Sequence, residues 1–539
     1  MKNTYYYPLL FLGVALLSAC SRQEKPAKPI TADEIKSHIA VLANDSLLGR
    51  KPFTTGEPKT INYISQQFKK LGLEPGNNGS YFQEVPMVEI TGSPSATMEI
   101  SGGKSPIILN NLTDFVASTR QELDEVELKN SPLVFVGYGI IAPEYHHNDY
   151  AGLDVKGKTV IVLVNDPGFK DDTMTYYGRW TYKYEEAARQ GATGVIIVHQ
   201  TKAASYPWTV VASSFPGAKL YLQQKDKHLG RCKVEGWITE DAAKKLFAAI
   251  GVTDDLRVLA RKKDFKAIPL NLNASVTIHN KLKYSTSHNV IATLKGSTNP
   301  GEYIIYTAHW DHLGVGKPDA KGDSIYNGAV DNADGVASLI CMAKAFSEAK
   351  EKPQRSIVFL AVTAEEQGLL GSEYYATHPV YPLNKTIADL NMDALGNYGE
   401  TKDFAITGKG QNDLDEYVTK YAKVGGDTVV GDRNPIAGSY YRSDHFNFAK
   451  VGVPALDMNN GDISLAHGEA WGKKQQEDYT ANRYHQVSDN YTPDMDASGM
   501  AQVANLLFNV GYQLSNETTY PGWKDGSEFK VIREKSLGK

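Results

Sequence analysis

Between Thr31 and Leu71 the apolar positions follow a helical period, and Thr31 with Glu34 forms a Thr-x-x-Glu capping box at its start. A second helix is predicted over Lys59 to Leu71, stopping at Gly72. Alternating apolar and polar residues then predict strands from Phe82 to about Phe115. Near Ser131 the texture changes. The runs Pro132 to Gly139 and Lys158 to Val164 read as short buried strands, followed by a helix from Lys183 to Gln190 and a strand from Gly194 to Val198. From Asn289 onward, strand, charged loop, helix and strand repeat, as in Glu302 to Ala308, Ala333 to Ala349, Arg355 to Thr363 and Thr386 to Asn391. This predicts an α/β fold, a mixed and mostly parallel sheet flanked by helices on both faces. In such sheets the chemistry collects in loops at the carboxyl ends of the strands.

Composition narrows the classes. With 539 residues, 41% hydrophobic and 22% charged, the chain is neither largely disordered nor a multi-span membrane protein. The 57 basic and 62 acidic residues leave a net charge of −5, so no basic field holds nucleic acid. Three cysteines exclude a disulfide scaffold or a cysteine-built zinc module.

The segment Met1 to Cys20 has Lys2, an apolar run from Leu9 to Leu17, and then Leu17-Ser18-Ala19-Cys20. The run is shorter than the roughly 20 residues that span a bilayer, and it suits a signal-peptide core. Its ending resembles a bacterial lipobox, which implies a lipid on Cys20 as the sole membrane contact. Residues 21–30 then read as a tether. The implied location is the cell envelope, on the outer membrane facing the periplasm, because Ser21 stands where an inner-membrane retention signal would favour aspartate; secretion is the other reading. Cys232 and Cys341 read as unrelated buried thiols.

Five segments carry the candidate chemistry. They are Tyr306 to His312 after a strand, Asn327 to Gly335 opening a helix, Ala361 to Gly368 and Leu390 to Gly396 ending strands, and Tyr484 to Asp489 in a polar loop. Singly each has an ordinary explanation: His309 a hydrogen-bonded strand end, Asp331 an N-cap, Glu365-Glu366 a solvated pair, Asp393 a turn former. Together they place acids and imidazoles on one rim, where carboxylates repel unless a cation compensates them. Histidines with carboxylates suit a divalent ion such as zinc.

These segments resemble the M28 family of zinc metallopeptidases, and Leu48-Gly49-Arg50, Tyr63-Ile64-Ser65 and Ser443-Asp444-His445 fit the same pattern. Residues 131–265, especially Lys183 through Val198, resemble a small β-rich protease-associated (PA) domain, here inserted between residues 31–130 and 266–539 of the peptidase domain. The resemblance implies a zinc exopeptidase fold. It implies two Zn²⁺ ions, one held by His309, Asp331 and Asp393, the other by Asp331, Glu366 and His485, with Asp331 bridging. It further implies a hydroxide between the ions, Glu365 as general base and acid, and a cis peptide at Asp331–Asn332. Asp311, two residues beyond His309, fits a carboxylate that fixes the imidazole tautomer.

The segment Gly438 to His445 reads as the substrate wall, including Ser443, Asp444 and His445. By resemblance Tyr440 would polarise the scissile carbonyl, with Tyr441 as the other candidate. The carboxylate-rich rim suits the cationic amine of a peptide N-terminus, so an aminopeptidase is expected. A carboxypeptidase would need converging arginines, for which Arg433 and Arg442 are available. A glutaminyl cyclase-like acyltransferase and a non-catalytic binding lipoprotein are the readings from other classes.

Overall fold

The computed structural model describes residues 27–539 apart from 263 and 397, so the leader, Cys20 and most of the tether lie outside the described residues. Its organising element is a 27-residue strand, Ile268–Leu294. In its first part Leu270, Leu272, Ala274, Val276 and Ile278 alternate into one core, the period-two pattern of a half-buried strand. Further on, Val290, Ile291 and Ala292 are consecutively buried, as in a strand covered on both faces. The same strand therefore belongs to two units. Its beginning pairs antiparallel with Glu125–Phe135 and Thr97–Ser101, and its end with Phe82–Pro94 and Arg355–Val362.

In the larger unit, Asn299–His309 lies between Arg355–Val362 and Thr386–Asn391, parallel to both. Thr386–Asn391 is parallel to Ala455–Asn460, which turns antiparallel to Asp403–Ile406. Alternate side chains enter opposite cores. Ile304, Tyr306 and Ala308 meet the helices Ala32–Leu42, Gly56–Lys70, Asp334–Ser347 and Ser498–Ser515. Ile305, Val358, Leu360 and Val362 meet Tyr375 and Phe448 on the other face. The sheet is mixed, mostly parallel at its centre, and covered on both sides, as the pattern predicts.

The capping box at Thr31 forms in both directions. The second helix starts earlier than the pattern indicates, at Gly56, because Pro58 sits in its first turn, where a missing N–H breaks no bond. Gly72, with φ +74°, follows the helix end at Lys70. Among the described residues Cys232 and Cys341 are buried and form no disulfide.

The smaller unit pairs Thr159–Leu163 in parallel with Glu125–Phe135 and Gly194–His199, and Gly194–His199 with Val234–Thr239. Its core takes in Met98, Ile100, Leu109 and Phe115, ahead of the change of texture at residue 131. That change marks where half-buried alternation gives way to strands buried on both faces, as at Thr159–Leu163.

The loop around residues 166–178 docks this unit on the larger one. Met174 and Tyr176 enter an apolar cluster with Tyr440, Tyr441, Phe446, Trp523 and Phe529. Glu528 Oε1 accepts from the Tyr176 amide at 3.0 Å and the Tyr441 hydroxyl at 3.1 Å, and Lys450 Nζ lies 2.9 Å from Glu185. Replacing Glu528 by alanine leaves the Tyr176 amide without its acceptor, while the Tyr441 hydroxyl keeps the Met174 carbonyl, a loss of about 1–3 kcal/mol in docking. Hydrogen exchange is expected to show faster exchange across residues 170–178 in Glu528→Ala, with the central sheet unchanged.

Candidate metal centre

Three adjacent parallel strands deliver the site at their carboxyl ends. His309 closes Asn299–His309, Asp393 follows Thr386–Asn391, and Glu365 and Glu366 follow Arg355–Val362. Consecutive strand residues would point to opposite faces, so the pair Glu365 and Glu366 requires a turn. Ala364, at φ +53°, supplies it, and the Glu365 amide donates to Asp311 Oδ1 at 3.0 Å. Asp331 arrives from the side, just before the helix Asp334–Ser347, and the Asp331–Asn332 peptide is cis. The Asn332 side chain ties this loop to the Asp393 loop by donating to the Met392 carbonyl at 2.9 Å. His485 comes from the loop after Glu469–Asn482.

All five predicted ligand side chains converge. His309 Nε2 lies 3.2 Å from Asp331 Oδ1 and 3.4 Å from Asp393 Oδ1. His485 Nε2 lies 3.1 Å from Asp331 Oδ2 and 3.1 Å from Glu366 Oε2. The two oxygens of Asp331 thus face two different imidazoles, the arrangement a shared ligand requires. Asp489 holds that carboxylate's backbone, its Oδ2 accepting from the amides of Val330 and Asp331 at 3.1 Å each. Ser443 donates to Asp393 Oδ2 at 2.6 Å and accepts from Asn391 at 2.9 Å.

The electrostatics call for cations. Burial pushes Glu365 well above the ordinary carboxylate range, aided by Glu366, Asp393 and Asp444 and opposed by His309. Burial would lower both imidazoles, yet the surrounding carboxylates outweigh it, holding His309 well above its usual value and His485 at about 10. His309 Nε2 is a buried atom without a hydrogen-bond partner, pointing at carboxylate oxygens. Nitrogen and oxygen donors in this arrangement fit a borderline divalent ion. The groups His309, Asp331 and Asp393, and His312, Asp331 and Glu366, each bring their donor atoms within 4.8 Å of one another.

Other residues depart from the sequence reading. The tautomer of His309 is set by the main-chain carbonyl of Asp311, 3.1 Å from Nδ1, and not by the Asp311 carboxylate, which lies 3.8 Å away and instead takes the Glu365 amide. Glu365 Oε2 stands 3.9 Å from His309 Nε2, at the edge of the ligand set. Asp444 accepts from Ser372, and burial holds the His445 imidazole down at about 3. Among the described residues the Tyr440 hydroxyl meets no hydrogen-bond partner, its ring packing edge-on against His445. The Tyr441 hydroxyl is committed to Met174 and Glu528. His312, for which the sequence pattern indicates no role, lies 2.5 Å from Glu366 Oε1 through Nδ1. Its position three residues after His309 was the only sequence signal for it.

Against this geometry, residues 289–510 match the family model Peptidase family M28 and residues 102–224 match the PA domain model. Residues 289–510 are thus similar to peptidase family M28, and residues 102–224 to a PA domain. A probable zinc metalloprotease of Pyrenophora teres f. teres is 41% identical over 20% of this chain and 22% of its own length. A probable leucine aminopeptidase 2 of Aspergillus oryzae is 25% identical over 80% of this chain and 73% of its own. The chain spans about a quarter or less of the length of the first curated relatives it matches. Among solved structures, an aminopeptidase from Aneurinibacillus sp. strain AM-1 is 22% identical with a TM-score of 0.47, covering 91% of this chain and 96% of that one.

Buried carboxylates outside the ligand set make the metal-free fold pH-dependent. Burial raises Asp457 to about 7 and Asp444 to about 6, above the ~3.9 of an unfolded aspartate. An acid raised by folding stabilises the protein while protonated in both states, and that contribution is lost as pH rises through the folded value. The chelator-stripped protein is therefore expected to melt at falling temperature from about pH 4 to pH 7, and the stabilisation by added zinc to grow over the same range. Scanning calorimetry with and without zinc checks both slopes.

Proposed function

We propose that the chain is a zinc-dependent exopeptidase that uses two ions and releases residues from the N-terminus of peptides. The observation that carries this reading is the Asp331 carboxylate, with one oxygen toward His309 and the other toward His485. His309, Asp331 and Asp393 would hold one ion, and Asp331, Glu366 and His485 the other. A divalent pair there supplies Lewis acidity and lowers the pKa of bound water. Glu365 does the proton work. Burial and its acidic neighbours raise its proton affinity, so it takes a proton and holds it for the departing amine. Ser443 fixes the orientation of Asp393, and the Asp311 carbonyl that of His309.

Preference for the N-terminal end rests on charge. The rim is acidic, which suits an ammonium group. Arg433 is committed to Asp462, with Nη2 at 2.5 Å from Oδ1, which leaves only Arg442 of the pair that a C-terminal carboxylate would need. Tyr440, whose hydroxyl meets no partner among the described residues, is the donor proposed for the developing oxyanion in preference to Tyr441. Export and lipid anchoring at Cys20 belong to the same proposal and rest on the leader-like sequence alone.

Glu365→Gln is expected to retain both metals and lose about 10²–10⁴-fold in kcat on an aminoacyl anilide. Normal turnover in that variant would contradict the assignment of the base. Asp331→Ala is expected to lose affinity for both ions, measured as metal content after dialysis. Peptides acetylated at the N-terminus are expected to resist cleavage; if they are cut while peptides amidated at the C-terminus resist, the chain acts at the other end.

A further inference from the structure

Arg50 lies under the metal centre, 1% exposed, in a sharp turn where Leu48, Gly49 and Arg50 all have positive φ, at 52°, 62° and 50°. Glycine is required in the middle, since a Cβ on Gly49 would come within 2.6 Å of the carbonyls of Tyr326 and Gly314. The strained turn delivers a guanidinium into a position that a regular helix end would not reach. There Nε donates to the Trp310 carbonyl at 2.9 Å, Nη2 to Gly328 at 2.9 Å, and Nη1 to Leu42 at 2.8 Å and also to Asn327.

Those acceptors are not scattered. Trp310 follows the ligand His309, and Asn327 and Gly328 lead into the ligand Asp331. Asn327 extends the brace, its side-chain amide donating to Asp45 Oδ1 at 2.7 Å and to Asn490 Oδ1 at 2.8 Å, and Asn490 lies in the loop that carries His485. Among the described residues no carboxylate pairs directly with the guanidinium. The acids whose charge reaches it are Asp331, Asp311, Asp489 and Glu366, all at or beside the site. A buried cation without an adjacent counter-ion is costly, and it is compensated here by a fan of charge-assisted bonds to main-chain oxygens.

We propose that Arg50 is a positioning residue that ties the His309 loop, the Asp331 loop and, through Asn327, the His485 loop into one fixed metal-binding geometry. The inference rests on the metal reading of the site. A planar guanidinium can address several carbonyls in one plane at once, whereas a lysine presents a single ammonium with three donors and cannot span them. Removing the fork frees the loops to separate under the repulsion of their own carboxylates.

The test is zinc affinity of the full chain after chelator stripping, measured by competition with a chromogenic chelator, for the wild type, Arg50→Lys and Asp45→Ala. Arg50→Lys is expected to bind zinc about ten- to a hundredfold more weakly and to alter the visible absorption of the cobalt-loaded protein, since ligand orientation changes. Asp45 is exposed and loses only the bond to Asn327, so Asp45→Ala keeps the fold testable if Arg50→Lys does not fold; a smaller fall in the same direction is expected. A role confined to stability would lower the melting temperature of the metal-free variants yet leave zinc affinity and the cobalt spectrum at their wild-type values, and that result would overturn the proposal. A wild-type chain that bound no zinc would overturn the metal reading itself and the inference with it.

Discussion

The site depends on one constraint, that a buried carboxylate must present its two oxygens in opposite directions. Asp331 does so because its backbone is held from outside the loop that carries it. Asp489 takes the amides of Val330 and Asp331, and Asn332 reaches across to the Met392 carbonyl. With the peptide fixed at both sides, the side chain starts from a point between the two imidazoles, and each of its oxygens meets one of them. The sheet supplies the other half of the geometry. His309, Asp393 and Glu366 arrive from three neighbouring parallel strands, whose spacing of about 4.8 Å sets the width of the centre.

The fold was largely legible because its strands and helices follow their periods closely. Arg355 to Thr363 and Thr386 to Asn391 are apolar runs that no helix face would explain, and they emerge as fully buried strands. Three of the candidate ligands, His309, Glu366 and Asp393, were legible for a related reason: they stand just beyond such runs, where a polar residue has no place in a core, whereas Asp331 and His485 were singled out by the family resemblance. What escaped the sequence were contacts made between segments distant along the chain. His312 could not be told from a second strand-end histidine until Glu366, 54 residues away, was seen beside it. The carboxylate and the carbonyl of Asp311 occupy the same sequence position, and only geometry separates what each of them meets.

The smaller unit is coupled to the centre through the wall that follows it. Tyr440 and Tyr441 share an apolar cluster with Met174 and Tyr176 of the docking loop, while Ser443, two residues on, holds Asp393. A segment that orients a candidate ligand therefore also carries the seam between the two units. This gives the insert a physical route to the rim, through packing and the Glu528 bonds.

The most direct measurement of the central claim is an anomalous difference map at the zinc edge from crystals grown with zinc. The account predicts two peaks on either side of the Asp331 carboxylate, about 3.5–4 Å apart, with His309 and Asp393 at one and Glu366 and His485 at the other. A map with no peak there, or with zinc bound away from Asp331, would contradict it.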